Sequence, residues 1–175
     1  LPIRHFYDHG GYTVEGQPNR RAAFDSYLAV RPTVHVTTPK PGSKIPITGF
    51  DFTIVANAGE LVTAPVAGMP GAGVPNPLCR EFVPRVQDAT PENAEAIGAV
   101  IKYGAFTLLD LSDLIWNMEK ELVCPNNLLG TVDVYHTSRH GTDWAGNPVM
   151  VHAVRPRVAV MNNGARKGGT SSTFQ

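Results

Sequence analysis

Carboxylate and imidazole side chains follow two of the predicted strands. Asp110 and Asp113 follow the apolar run Phe106–Leu109, and His140 follows the strand-like run Thr131–Tyr135. Open α/β sheets build their sites at the carboxyl ends of strands, so we expect these side chains to lie at one edge. A carboxylate and an imidazole suit zinc or a similar divalent ion. Two ligands do not complete a metal site.

Each of these residues also has a structural interpretation. Asp113 precedes a predicted helix over 114–123 and could be its N-cap, a position that Asp favours. His140 precedes a glycine and could be an ordinary loop histidine. Asp110 is predicted to pack or cap nearby, and His136 to occupy a core or surface position within its strand.

The bulk composition excludes several classes of protein. The chain has 175 residues, a length that favours a single domain spanning residues 1–175. Its charge is balanced, with 15 basic and 15 acidic residues. Nothing therefore directs it to nucleic acid or to an anionic membrane. Its apolar runs are too short to span a bilayer. Leu1 is not followed by a signal-peptide pattern and no initiating Met is present, so we interpret the chain as a mature or truncated piece.

The pattern of elements predicts an α/β fold, because strands alternate with helices. The apolar runs 96–103 and 106–111 flank a Gly-Ala turn and predict a hairpin. Both arms are largely apolar, so we expect its sheet to be covered on both faces. Helices are predicted over 19–30, 114–123 and 148–154. Shorter strands are predicted at 3–8, 34–37, 44–47, 50–55, 61–63, 132–135 and 157–161.

Two segments have an irregular composition. The segment 65–91 is rich in proline and glycine and predicts a long loop lying across the surface, and 162–175 predicts a polar, mobile tail. The chain has two cysteines, Cys79 and Cys124. They could form a disulfide or a buried thiol pair, or have no special role.

Several motifs together resemble the metallo-β-lactamase superfamily of metal-dependent hydrolases. The similarity is to an exported bacterial branch related to the hydrolase domain of DNA-uptake competence proteins, and it covers nearly the whole chain. The segments that carry it are Asp110-Leu-Ser-Asp113-Leu-Ile-Trp116-Asn117, Cys124-Pro-Asn-Asn, Ser138-Arg139-His140-Gly141, Arg155-Pro-Arg-Val-Ala-Val-Met-Asn-Asn-Gly164, Ile3-Arg-His-Phe-Tyr-Asp-His-Gly and Pro75-Asn-Pro-Leu-Cys79.

The resemblance implies the C-terminal portion of a layered αββα fold, with a mixed sheet and flanking helices. It implies a dinuclear site, with zinc the expected metal, that activates water against a phosphoester or ester-like bond in a small-molecule or phosphoester substrate. Asp113 would bridge the two metals and His140 would be a further ligand. A disulfide between Cys79 and Cys124, in a periplasmic or secreted protein, also follows from the resemblance.

The resemblance also suggests residues that could bind substrate. Asn93 lies where relatives begin the hairpin and could line the pocket, although turn chemistry also explains it. Asn163, Arg166 and Lys167 could hold an anionic substrate through backbone N–H groups and two cations, although a solvated tail explains them equally well.

The main metal signature of the family, His-x-His-x-Asp-His, is absent from this sequence and by the family's order belongs upstream of Leu1. The segment from His5 to His9 has the wrong spacing and is predicted to be a strand end without metal. Arg139 replaces the first of two paired histidines. We therefore expect this chain alone to be inactive, and a non-catalytic binding or assembly protein is the alternative. A half-fold would need self-association or an N-terminal segment to cover its sheet.

Overall fold

A computed structural model describes residues 3–11, 18–31, 35–85, 91–164 and 169. The elements in chain order are β1 (His5–Tyr7), α1 (Pro18–Val30), β2 (His35–Thr37), β3 (Lys44–Ile45), β4 (Asp51–Asn57), β5 (Glu60–Leu61), α2 (Pro91–Ala94), β6 (Gly98–Tyr103), β7 (Phe106–Asp110), α3 (Trp116–Glu121), β8 (Val134–His136), α4 (Pro148–Val154) and β9 (Val158–Val160), with 3-10 turns at Pro77–Glu81 and Ser138–Gly141.

The large sheet is mixed. Its strand order is β3-β4-β6-β7-β8-β9, and β5 pairs with β4 beside this path. The neighbours from β3 to β7 are antiparallel, whereas β7, β8 and β9 are parallel. The carboxyl ends of β4, β7, β8 and β9 therefore lie at the same edge. This arrangement confirms an α/β fold with a mixed sheet and helices.

A second, smaller sheet is formed by β1 and β2, which are parallel and connected by α1. The Asp8 carboxylate at the end of β1 accepts hydrogen bonds from Tyr27 of α1 and from Thr38 after β2. The side-chain amide of Asn57, at the end of β4, donates to the carbonyls of Asp8 and Pro39. The small sheet is thus attached to the large one at the edge where the carboxyl ends of β4, β7, β8 and β9 lie.

One face of the large sheet forms the core. Because side chains alternate along a strand, Val100, Leu109 and Tyr135 share this face, and all are buried. They pack in one cluster with Leu122, which follows α3, and with Met150 of α4. Both helices therefore cover the same side of the sheet.

The opposite face is covered in part, unlike our expectation of a sheet covered on both sides, since Ile54 and Ala99 on it are buried. Large apolar side chains of this face are about half exposed: Phe50, Tyr103, Phe106, Val158 and Val160. We call this set the open face. The apolar pattern of the hairpin arms indicated two covering layers, but α3 and α4 supply only one of them within the described ranges.

The helix expected over 114–123 is shorter than predicted. It spans Trp116–Glu121, because Ile115 has an extended backbone and is itself the N-cap. Asp113 lies before this cap and does not cap the helix, so that interpretation is wrong.

The Pro/Gly-rich segment 65–91 is packed where the structure describes it. It contains the 3-10 turn Pro77–Glu81, and the Trp116 indole donates to the carbonyl of Val83. Residues 86–90, and 165–168 and 170–175 of the predicted mobile tail, lie outside the described ranges. No helix of the described chain is both long enough and apolar enough to cross a bilayer.

Cys79 and Cys124 form a disulfide, with Cα atoms 5.7 Å apart. This is the pairing that the resemblance implies. It ties the 3-10 turn Pro77–Glu81 to the segment that follows α3.

The disulfide leads to a testable prediction. The intact protein should migrate faster on a non-reducing gel than after reduction, and Cys79→Ser should abolish the difference. Because the bond closes a loop with a sequence separation of 45, its loss should lower the free energy of unfolding by ~3–4 kcal/mol in urea titrations. An intact protein whose mobility does not change on reduction would contradict the pairing.

Candidate functional site

Asp113 and His140 meet at the carboxyl edge of the large sheet. Asp113 lies in the turn after β7, and His140 lies in the 3-10 turn after β8. His140 Nε2 is 3.7 Å from Asp113 Oδ1, and both side chains are partly exposed. The two residues predicted as metal ligands are therefore brought together.

The turns that carry this pair have a strained backbone. Ser112, Arg139 and His140 have φ angles of 52°, 48° and 60°, in the left-handed region that non-glycine residues rarely adopt. The Arg139 N–H donates to the Ser112 carbonyl at 3.0 Å and joins the two turns. Each such residue costs on the order of 1–3 kcal/mol, and such residues cluster at functional sites.

The orientation of the His140 ring is fixed from the far side. Its Nδ1 lies 2.8 Å from the carbonyl oxygen of Asn162, just after β9. A carbonyl can only accept, so Nδ1 carries a proton and donates it to Asn162, and Nε2 is on the side of the ring that faces Asp113. Histidines that bind metals are commonly held in this way.

A buried carboxylate supports the turn that carries His140. Glu119 of α3 is fully buried. It accepts hydrogen bonds from the backbone N–H groups of Gly146 and Asn147 at 3.1 and 2.8 Å, and the Tyr135 hydroxyl lies 3.5 Å away. The Tyr135 oxygen accepts from the Ser138 N–H at 3.0 Å. Ser138 begins the 3-10 turn, so this network links α3 and β8 to that turn.

Burial raises the pKa of Glu119 to about 6, against hydrogen bonds from Asn147, Ser138, Gly146 and Tyr135 that lower it. Burial, followed by the charge of Glu119, also raises the pKa of the Tyr135 hydroxyl. The tyrosine therefore stays protonated and can donate to the carboxylate.

Glu119 was not predicted as a site residue. The signal for its burial is its spacing, because Ile115 and Leu122 lie four residues before it and three after it on the same helical face. A carboxylate on an apolar face must find hydrogen-bond donors inside the protein.

Asn93 reaches the candidate site from α2. With its amide turned so that the oxygen faces Arg139, that oxygen accepts from Arg139 Nε and Nη2 at 3.3 and 3.2 Å. The helix that carries Asn93 is anchored by His9, whose Nε2 and Nδ1 lie 3.1 Å from carboxylate oxygens of Glu92 and Glu95. The His9 ring therefore lies between two carboxylates of the α2 segment and connects that segment to the end of β1.

The remaining predicted substrate residues lie apart from this contact or outside the described ranges. Asn163 is exposed, and its backbone N–H donates to the carbonyl of Met161 at 3.2 Å. Arg166 and Lys167 fall outside the described residues.

A second carboxylate–imidazole pair follows the same two strands. Asp110 of β7 and His136 of β8 are cross-strand neighbours, and His136 Nδ1 lies 3.2 Å from Asp110 Oδ2. The other oxygen of Asp110 accepts from the Ser112 N–H at 2.8 Å and so shapes the turn that leads to Asp113. Sequence reasoning did not predict this pairing, which depends on strand register.

A metal ion held by protein side chains needs several donor groups close together. Among the described residues, no three or more His, Cys, Asp or Glu side chains are grouped to hold an ion. Asp113 and His140 fit two ligand positions by donor chemistry and by the orientation of His140. They do not make a complete site. Comparison with protein-family models and with curated proteins finds no match for the chain.

Glu119 gives a pH-dependent prediction. Its folded pKa is about 6, above the ordinary value of 4.5. A raised pKa means that the contribution of this group to stability is full below pH 4.5 and is lost as pH rises through 6, by about 2 kcal/mol. Chemical denaturation at pH 4.5 and 7 should show this loss in the wild type and not in Glu119→Gln. Glu121→Gln, on the exposed side of the same helix, is the matched control. Equal pH slopes in all three proteins would contradict the assignment.

Proposed function

We propose that this chain is the C-terminal portion of an exported hydrolase of the metallo-β-lactamase superfamily, acting on a phosphoester or ester-like bond. The observation that carries the proposal is the approach of Asp113 to His140 at adjacent strand ends, with the His140 ring oriented by a backbone carbonyl. These are the two positions that the resemblance assigns to metal ligands.

The arrangement of layers supports the proposed fold family. An αββα fold has two sheets facing each other and helices on the outside. Here α3 and α4 cover one face of the large sheet, and the half-exposed apolar residues of the open face lie on its other side. A separate β1–β2 sheet lies beside it, and Asn57 joins the two. The open face is where further strands of a second sheet would pack, because sheets stack through their apolar faces.

The proposed chemistry assigns roles to the residues of this chain. Asp113 and His140 would hold metal, with zinc the metal proposed. Bound metal would supply activated water and a positive charge near the reacting bond. Asn162 keeps His140 Nε2 in its acceptor form. Arg139, held by Asn93, places a cation in the same turn and favours an anionic substrate such as a phosphoester.

The other substrate-binding residues are proposed on chemistry alone. Asn163 would contribute polar groups beside the carboxyl end of β9, and Arg166 and Lys167 would contribute charge to an anionic substrate. The Cys79–Cys124 disulfide supports the proposed periplasmic or secreted location, since such bonds persist in oxidising compartments.

A second candidate function is binding or assembly without catalysis. Two observations favour it: the described residues offer no third grouped ligand, and the open face exposes five apolar side chains. Exposed apolar patches of this kind mark contact surfaces. Metal content distinguishes the two candidates.

Metal analysis of the full-length protein tests the enzyme proposal. Elemental analysis should find about two zinc ions per chain, as in other two-metal hydrolases. Asp113→Asn and His140→Gln should each lower the bound zinc, because each removes a ligand. Asp143→Asn and His152→Gln, at exposed positions outside the ligand pair, should keep it. A metal-free protein whose thermal stability is unchanged by chelator would favour the binding function.

The gene provides an independent test of the ligand set. If the proposal holds, the reading frame before Leu1 encodes His-x-His-x-Asp-His a short distance upstream, because Asp113 and His140 need partners that this sequence lacks. An upstream frame without that signature, or an initiation codon next to Leu1, would remove the proposed partners.

A further inference from the structure

We propose that Asp110 and His136 form a proton-transfer pair, in which His136 protonates the leaving group of the substrate. The inference rests on the proposed hydrolytic function and deepens it, because it identifies the substrate as an ester whose leaving group needs a proton. It begins from the second carboxylate–imidazole pair, to which the metal chemistry assigns no role.

The geometry of the pair is that of an oriented acid–base histidine. His136 Nδ1 lies 3.2 Å from Asp110 Oδ2. The carboxylate is itself fixed, since its other oxygen accepts from the Ser112 N–H at 2.8 Å. The Nδ1 proton therefore points to Asp110, and Nε2 is directed away from it. A carboxylate that holds Nδ1–H in this way leaves Nε2 to exchange protons with a substrate.

The surroundings leave Nε2 accessible. Within the described ranges no side chain or backbone group hydrogen-bonds to His136 Nε2, and the side chain is about one-third exposed. The cross-strand neighbour on β9 is Val160, and beyond Asp110 the neighbour on β6 is Ala99. The imidazole thus stands in an apolar row on the same side of the sheet as the open face, with Asp110 as the one charged partner in that row. A substrate on that side of the sheet can therefore reach Nε2.

The position of the pair matches that of the metal ligands. Asp110 is the last residue of β7 and Asp113 lies in the turn after it. His136 is the last residue of β8 and His140 lies in the turn after it. The two turns are joined by the hydrogen bond from Arg139 to Ser112. Both carboxylate–imidazole pairs therefore stand at one edge of the sheet, where strand ends would hold a nucleophile-activating group and a leaving-group acid.

The proposed step balances as follows. Water adds to the phosphorus or carbonyl carbon of the ester, and the bond to the leaving oxygen breaks. The Nε2–H of protonated His136 passes to the leaving oxygen, so the product leaves as an alcohol. The neutral imidazole, held by Asp110, then takes up the proton released by the attacking water. No oxidant, reductant or further co-reactant is required.

Leaving-group dependence in the zinc-loaded full-length protein tests the proposal. Two phosphodiesters would be compared, one releasing 4-nitrophenolate and the other phenolate, with matching carboxylic esters in parallel. General acid catalysis contributes ~10²–10⁴-fold, and it is needed most for the poorer leaving group. His136→Gln should therefore reduce kcat by ~10²-fold or more for phenolate release, and by less than about tenfold for 4-nitrophenolate release.

Controls separate this role from a structural one. His152→Gln replaces a histidine of α4 away from the pair and should leave both rates unchanged. Bound zinc should be unaltered in His136→Gln. In Asp110→Asn the amide would donate to Nδ1, so ¹⁵N NMR should show the His136 proton moving to Nε2, which a merely structural effect on the fold would not produce.

The outcomes distinguish this inference from the proposed function. A zinc-loaded wild type that hydrolyses none of these esters would overturn the proposed function and this inference with it. An active wild type, with equal losses for both leaving groups in His136→Gln, would overturn only the role of His136. An unchanged His136 proton position in Asp110→Asn would show that Asp110 does not orient the ring.

Discussion

The hydrogen bond from the Arg139 N–H to the Ser112 carbonyl is the interaction on which the candidate site depends. It joins the turns at the ends of β7 and β8, both of which contain left-handed, non-glycine residues. The pairing of β7 with β8 brings the two turns together, and this bond joins their backbones directly. The strain of these turns must be offset by the surrounding structure, since strained conformations persist only where neighbouring contacts determine them.

Glu119 supplies much of that support. A buried carboxylate is costly unless it accepts several hydrogen bonds, and this one receives them from the backbone of Gly146 and Asn147, with Tyr135 nearby. Through Tyr135 and Ser138 it reaches the start of the turn that carries His140. Such a network stabilises one geometry strongly, because any alternative leaves a buried polar group without a partner.

The open face has a different meaning under each of the two proposed functions, hydrolysis and assembly. Among the described residues, helices cover one side of the sheet, and the other side exposes the apolar residues of the open face. That exposed surface gains free energy when another layer packs on it. In the enzyme interpretation that layer is further strands of a second sheet, which would also place missing ligands near Asp113 and His140. In the assembly interpretation it is a partner. The same apolar surface is compatible with both, so the chemistry at the edge is the discriminating feature.

The sequence by itself determined the local elements and the identity of the candidate ligands. The hairpin around Gly104, the helix beginning at Pro148 and the placement of Asp113 and His140 after strands all follow from periodicity and turn chemistry, which act over short distances. The structure shortened α3, placed α3 and α4 on the same face of the sheet, buried Glu119 and paired Asp110 with His136. Those outcomes depend on strand register and on which layers pack together. They are contacts between segments far apart in the chain, and local sequence patterns do not determine such contacts.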